Sequence, residues 1–335
     1  MHYLWRIKDI VLQHITRTDL SLIGSFHYGN VGDMAIGRAV KDITPESIST
    51  GYYLLGKNET IRGMYPEHRN ALVCGGGLGR NKFFERFNSE FEGTDFSIIG
   101  ISLWYDLNIT HKVEKILEEA EQLTVRNKRD KEYLSERSIE AKYVPDTAFA
   151  LTFENSTTKN RVGLNVQSGH INRYDSEEYE KKYKKIFKKV SKNYLNKGVE
   201  VVHVPFTKSD ELLSEKIFGD MDVKKITYQP DVKKMYKTVS SCKCFIGTRF
   251  HSHVFSLKAG VPLFSFRYAP KCEYLFDDLD LDKNYQFDKN DVVNEESEIV
   301  EFLSYSDGCV LGSGKISKIE SSVASNITSG IESIF

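Results

Sequence analysis

Few residue types are in excess in this chain, and what it lacks narrows the reading first. Its 46 lysines and arginines are balanced by 47 aspartates and glutamates, leaving a formal net charge of −1. No global positive field is available to gather nucleic acid, so that class of partner is set aside. Cysteine is scarce and odd in number, five in 335 residues. Cys242 and Cys244 are one residue apart, which is neither zinc-site nor redox-motif spacing. A reducing cytoplasm is the simplest setting for such a chain. No run reaches the ~18 apolar residues of a membrane span. Met1 to Asp19 carries charges throughout and has no apolar core of a secretion signal. No repeat of solenoid period, no low-complexity tract and no metal-ligand cluster is visible, so neither a metal nor a cofactor is expected.

What is present is alternation. Apolar runs such as "LSLIG" (20–24), "ALVCGGG" (71–77), "FSIIGIS" (96–102), "RVGLNV" (161–166), "VEVVHVPF" (199–206), "CKCFIG" (242–247) and "VPLFSFR" (261–267) read as buried strands. Between them lie amphipathic stretches, among them 33–43, 111–122, 209–218, 230–241 and 252–259. The longest, 176–197, places Tyr179, Tyr183, Ile186, Phe187, Val190 and Tyr194 at helical spacing. A chain this long exceeds one ordinary core. The expected fold is α/β, with two doubly wound Rossmann-like domains facing a cleft. The first would span 1–155 and the second 160–305, divided by the polar stretch 153–160, with a helical tail over 306–335 packing back on the body.

In such sheets ligands bind beyond the carboxyl ends of the strands. "GTRFHSHVFSLKAGVP" (247–262) follows a strand and opens a helix. Unsatisfied backbone N–H groups at that point favour an anion. Arg249 adds a planar fork of donors, and His251 a proton-transfer group near neutral pH. His253 is expected to face the packing side. A structural Arg and His closing a buried turn would leave the same letters. "HYGNVGDMAI" (27–36) is the matching loop of the first half, with Gly29 and Gly32 allowing a tight turn and Asn30 and Asp33 at the helix start. It is neither a P-loop nor GxGxxG; an N-capped turn with Asp33 as cap explains it equally well. Gly75, Gly76 and Gly77 would let backbone approach a ligand closely. Arg126, in "TVRNKRD", follows a strand and could reach the cleft or serve a surface ion pair. Lys271 adds a positive charge after the strand that follows the histidine helix. The lysines between Lys181 and Lys192 read as a solvated face, or as attraction to an anionic membrane. Residues 1–15 read as a packed amphipathic helix.

"GNVGDMAI", "GGG", "VRNKRD", "VPDTAFAL" and "IGTRFHSHVFSLKAGVPLFSFRYAPK", in this order and spacing, resemble the polysaccharide pyruvyl transferase family. The likeness covers roughly residues 20 to 280, and its R-x-H, helix, G-V-P, strand, Y-x-x-K portion is the most specific. The resemblance implies a GT-B-like fold. It implies transfer of the pyruvyl group of phosphoenolpyruvate onto two saccharide hydroxyls as a cyclic ketal, in exopolysaccharide, capsule or wall-polymer biosynthesis. It also implies a saccharide acceptor, lipid-linked in some members, and work in the cytoplasm or at the inner membrane face. By position, Arg249 and His251 fall on the R-x-H, Lys271 on the late lysine, Asn30 and Asp33 on the N-x-G-D loop, and Arg126 on the arginine of a V-R-D element. There Asn127 stands where Asp is usual, and Asp130 where Ser is usual. A nucleotide-sugar glycosyltransferase of GT-B fold and a non-catalytic saccharide-binding subunit are the alternatives.

Overall fold

A computed structural model of the chain describes residues 18–26, 29–53, 70–103, 108–167 and 176–335. The amphipathic stretch 1–15, and His27 and Tyr28 of the glycine loop, lie outside the described residues. The chain forms two compact units. One takes the described residues before 27, then Asp33–Thr152 and Lys318–Phe335; the other takes Gly29–Gly32 and Phe153–Ser317.

In the first unit the apolar runs become parallel strands β1 (Leu20–Ile23), β2 (Thr50–Tyr53), β3 (Asn70–Gly79), β4 (Asp95–Leu103), β5 (Leu123–Val125) and β6 (Lys142–Tyr143). Their order is β2-β1-β3-β4-β5-β6. Continuous apolar sequence suits strands covered on both faces. Helices α1 (Val31–Ile43), α2 (Asn81–Glu90), α3 (His111–Glu118) and α4 (Lys128–Ser135) supply the cover. Phe84 and Phe87 of α2 and Val113, Ile116 and Leu117 of α3 are buried in one cluster with Val73, Ile98 and Ile101 of the sheet. The strand order reverses between β1 and β3, which is this unit's topological switch point.

The second unit holds β7 (Arg161–Leu164), β8 (Glu200–His203), β9 (Lys224–Lys225), β10 (Cys244–Gly247), β11 (Leu263–Phe266) and β12 (Gln286–Phe287). All are parallel, in the order β12-β11-β10-β7-β8-β9, so the switch point lies between β7 and β10. Its helices are α5 (Glu177–Asn196), α6 (Lys208–Phe218), α7 (Val232–Ser240), α8 (Phe250–Lys258), α9 (Pro270–Asp278), α10 (Lys289–Asn294) and α11 (Glu296–Tyr305). The six apolar residues of α5 read from helical spacing are all buried. On its other side Lys185 and Lys189 both pair with Glu296, Lys188 pairs with Asp220, and Lys182 donates to the Val293 carbonyl. Much of the lysine charge is thus met inside the unit.

A last helix, α12 (Ser313–Glu332), buries Ile319, Val323, Ile327 and Ile331. Its later residues complete the first unit. Gln122 donates to Asn326 Oδ1 at 2.7 Å, Ser329 donates to Gln122, and Ser97 and Ser333 share a hydrogen bond of 2.9 Å. Several elements differ from the sequence expectation, which did not read helices such as α2 and α4. The strand β2 went unread, and the histidine helix begins at Phe250, two residues earlier than its periodicity suggested. All five cysteines are buried and none forms a disulfide; burial pushes the thiols of Cys244 and Cys242 up to about 11 and about 12. No described helix is long and apolar enough to cross a membrane.

Candidate active site

Asn30, Asp33 and the glycines 75–77 fall at the first unit's switch point and Arg249 and His251 at the second's, whereas Arg126 follows β5 and Lys271 follows β11. In the second unit, Asn165 follows β7 and bridges the structure around it. Its Oδ1 accepts from the Arg249 N–H at 2.9 Å, and its Nδ2 donates to the Val204 carbonyl at 3.0 Å. Arg249 is the N-cap of α8, without a side-chain cap. His251 is therefore in the first turn of that helix, where orphan backbone N–H groups gather.

The guanidinium of Arg249 is clamped. Nε and Nη2 donate to the two oxygens of Asp210 at 2.7 Å each, and Nη2 also donates to Thr207 Oγ1 at 2.9 Å. Asp210 is fully buried and accepts further from the Phe206 and Thr207 N–H groups at 3.0 and 3.1 Å. The sequence reading offered the whole fork to a ligand; the structure turns its bidentate edge onto Asp210. Beside it, Tyr183 and Thr248 share a hydrogen bond of 2.7 Å between β7's covering helix and the β10 exit. Burial pushes the Tyr183 phenol well above its usual range, so it stays protonated.

His251 is buried, and its ring lies against Gly32. A Cβ on Gly32 would stand 2.1 Å from the His251 Nδ1 and 2.2 Å from its Cγ. Gly32 is thus not the turn glycine read from sequence. It lies inside α1, and only Gly29, with φ of +69°, takes the left-handed conformation of a turn. The Gly29–Gly32 segment is held to the second unit by Val31 N–H on the Phe206 carbonyl (3.0 Å) and by the Tyr228 hydroxyl donating to the Gly29 carbonyl (2.5 Å). The cap is also reassigned. Asn30 Oδ1 accepts from Gly32 N–H at 3.0 Å, so Asn30 closes the helix start and Asp33 sits in the first turn.

Lys271 is the second residue of α9, just after Pro270. Its ammonium lies 5.2 and 5.4 Å from the ring centres of Tyr268 and Phe250. His253 is fully buried, with Nε2 on the Gly247 carbonyl at 3.0 Å. Burial, with the Lys271 charge adding to it, pulls its pKa down to about 4, so it is neutral. That is a packing role.

In the first unit, Gly75 and Gly76 have φ of +47° and +80° at the carboxyl half of β3. A Cβ on Gly75 would meet Ile36 at 2.8 Å, and one on Gly76 would stand 3.8 Å from Asp33 Oδ1. The glycines let α1 approach the strand and bring the Asp33 carboxylate over it; Gly77 is exposed. Arg126 departs from expectation. Its side chain is 3% exposed, and Nη1 donates to Asp146 Oδ2 at 2.7 Å. An unpaired guanidinium at that depth would be costly, and Asp146 compensates it. The altered "RNKRD" stretch is self-consistent. Asn127 caps α4 by accepting from Asp130 N–H at 2.8 Å, and its amide donates to Asp130 Oδ2 at 2.6 Å.

Sequence reasoning missed Asp210, Asn165, Thr207 and Tyr183. The T-x-x-D spacing of Thr207 and Asp210 is a capping-box signature, and the structure has that box, but nothing local links it to Arg249. Among the described residues no group of three or more His, Cys, Asp or Glu is placed to hold a metal ion.

Two Rossmann-like units of parallel strands define a fold of the GT-B class. UDP-GlcNAc 2-epimerase from Neisseria meningitidis, bound to UDP-GlcNAc, is similar at TM-score 0.57 and 10% identity, over 93% of this chain and 99% of its own. A putative UDP-N-acetylglucosamine 2-epimerase from Listeria monocytogenes is similar at TM-score 0.56 and 11% identity, over 95% and 96%. UGT71G1 of Medicago truncatula, complexed with UDP-glucose, is similar at TM-score 0.53 and 10% identity, over 95% and 98%. Likeness at such identity is a likeness of fold. No curated protein matches the chain in sequence. The polysaccharide pyruvyl transferase profile matches residues 30–270, and the chain belongs to that family.

Proposed function

We propose that the protein transfers the pyruvyl group of phosphoenolpyruvate onto two hydroxyls of a saccharide, forming a cyclic ketal in the synthesis of a surface or wall polymer. The observation that carries this reading is His251 in the first turn of α8 at the second unit's switch point, beside its N-cap Arg249. Phosphoenolpyruvate brings a phosphate and a carboxylate, which suit the helix N-terminus, Arg249 and Lys271. His251 protonates the methylene carbon, and C2 becomes electrophilic. One hydroxyl adds to C2, the C2–O bond to phosphate breaks, and the second hydroxyl closes the ring. Of the two hydroxyl protons, one balances the new methyl group and the other leaves with phosphate. Asp33, with Asn30 and the glycines 75–77, is assigned to the acceptor, and Asp33 takes a hydroxyl proton. Arg126 is left out of this scheme because its side chain is only 3% exposed, whereas that of Arg249 is 15% exposed. The reading places the reaction in the cytoplasm, on an acceptor that is free or lipid-linked.

The test is phosphate release from phosphoenolpyruvate with a panel of galactosides, mannosides, glucosides and N-acetylhexosaminides. Acceptor-dependent release, competed by inorganic phosphate and not by UDP or GDP, is the expected result. Binding of UDP or GDP without phosphoenolpyruvate turnover would favour a nucleotide-sugar transferase instead.

A further inference from the structure

Arg249 is a surface-reaching group with a buried handle. Its side chain is 15% exposed, whereas its carboxylate partner Asp210 is 0% exposed. Asp210 is fixed independently of Arg249, because Phe206 and Thr207 donate backbone N–H groups to it in the first turn of α6. The two shortest of its four bonds, both 2.7 Å, go to Nε and Nη2 of Arg249. Thr207 Oγ1 takes the remaining hydrogen of Nη2. Asp210 and Thr207 together take three guanidinium hydrogens, so the plane of the group is set by α6 rather than by α8, on which Arg249 stands.

We propose that Asp210 is a positioning residue for the donor: it holds Arg249 so that the guanidinium meets the anionic substrate in one orientation. This rests on the pyruvyl transfer reading above. Orientation matters because a flexible arginine must be ordered at the moment of binding, whereas a clamped one is already in place. A carboxylate is required for the role. In Asp210→Asn, one oxygen is replaced by an NH2 that faces donors on every side, either backbone N–H or guanidinium, so the clamp cannot close.

The experiment joins two readouts. The Nε–H resonance of Arg249, assigned by its loss in Arg249→Lys, reports the clamp without turnover. The KM and kcat for phosphoenolpyruvate report its use. In Asp210→Asn the resonance should lose its protection from solvent exchange, and KM should rise about tenfold or more, the loss expected of charge-assisted hydrogen bonds, with a smaller fall in kcat. In an Arg249→Gln background, adding Asp210→Asn should change KM little, because Asp210 acts through Arg249. Wild-type KM in a folded Asp210→Asn protein overturns the proposal. So does an undiminished effect of Asp210→Asn in the Arg249→Gln background. If Asp210→Asn does not fold, Thr207→Ala removes one bond to Nη2; an unchanged resonance and unchanged KM there overturn the proposal as well. If the wild type fails to turn over phosphoenolpyruvate with any acceptor, the function reading fails separately. Inorganic phosphate is then titrated against the Nε–H resonance. A shift in wild type that Asp210→Asn abolishes upholds the positioning role, and a shift common to both, or absent from both, refutes it.

Discussion

Gly32 and His251 are fitted to each other, and the fit is more demanding than a turn glycine would be. Gly32 lies in a helix, so alanine there is acceptable to the backbone and would by itself favour the helix by about 1 kcal/mol. The methyl group, however, would occupy the place of the His251 ring. Gly32→Ala should therefore displace His251, lower turnover by roughly the ~10²–10⁴ of a lost general acid or base, and cost about 1–3 kcal/mol through overpacking. Adding His251→Ala should restore the melting temperature without restoring activity. A Gly32→Ala protein with wild-type turnover would overturn the role proposed for His251 as the acid. Arg249→Lys tests a neighbouring point. Lysine cannot make the two-nitrogen contact with Asp210, so the variant should lose stability as well as donor affinity, measured by urea midpoint and KM. A sequence reading that gave Arg249 to the substrate alone foresees only the second loss.

Among the elements, those with a local period were legible and those defined by distant partners were not. Helix α5 shows its buried face at every third or fourth residue, and all six residues read from that spacing are in the core. The strands that are buried on both faces announce themselves as short apolar runs. By contrast β2, "TGYY", is only partly buried along its length, and four residues with two aromatics carry no decisive pattern. The pairing of Arg126 with Asp146 spans twenty residues and two different elements, and that of Arg249 with Asp210 spans 39. No periodicity encodes either pair, so the carboxylate partner of each arginine could not be read from the sequence. Helix α12 makes the point in energy. Its isoleucine spacing was visible, but which unit it completes was not. Ile327 is fully buried, and Ile327→Ala should cost about 2–5 kcal/mol, seen as a lower urea midpoint. Tyr305→Ala, at a residue 75% exposed, should cost far less.

At the scale of the molecule, stability should decline on mild acidification, and two histidines of the second unit set the window. Burial depresses both His203 and His253 to about 4, against an ordinary value of 6.5. Below pH 6.5 the unfolded chain takes up protons that the folded one refuses, so stability falls as pH drops from about 6.5 to about 4 and is unaffected by these groups above that range. Each histidine contributes a slope of up to about 1.4 kcal/mol per pH unit. Denaturation midpoints measured from pH 7 to pH 5 should show this slope, and His203→Leu should remove about half of it. An unaltered slope in that variant would mean that His203 is protonated in the native state.

The path of the chain carries one more consequence. Residues 318–335 pack onto a unit whose other described residues all precede Phe153. The ribosome therefore delivers the covering of Ile99 and the partners of Gln122 only after the entire second unit has emerged. During those 165 residues of elongation, Phe153 to Ser317, the first sheet waits with an apolar face uncovered. Its completion is a late event in synthesis, timed by translation of the other unit, and a nascent chain stalled before Lys318 should be held by chaperones rather than released as a finished domain.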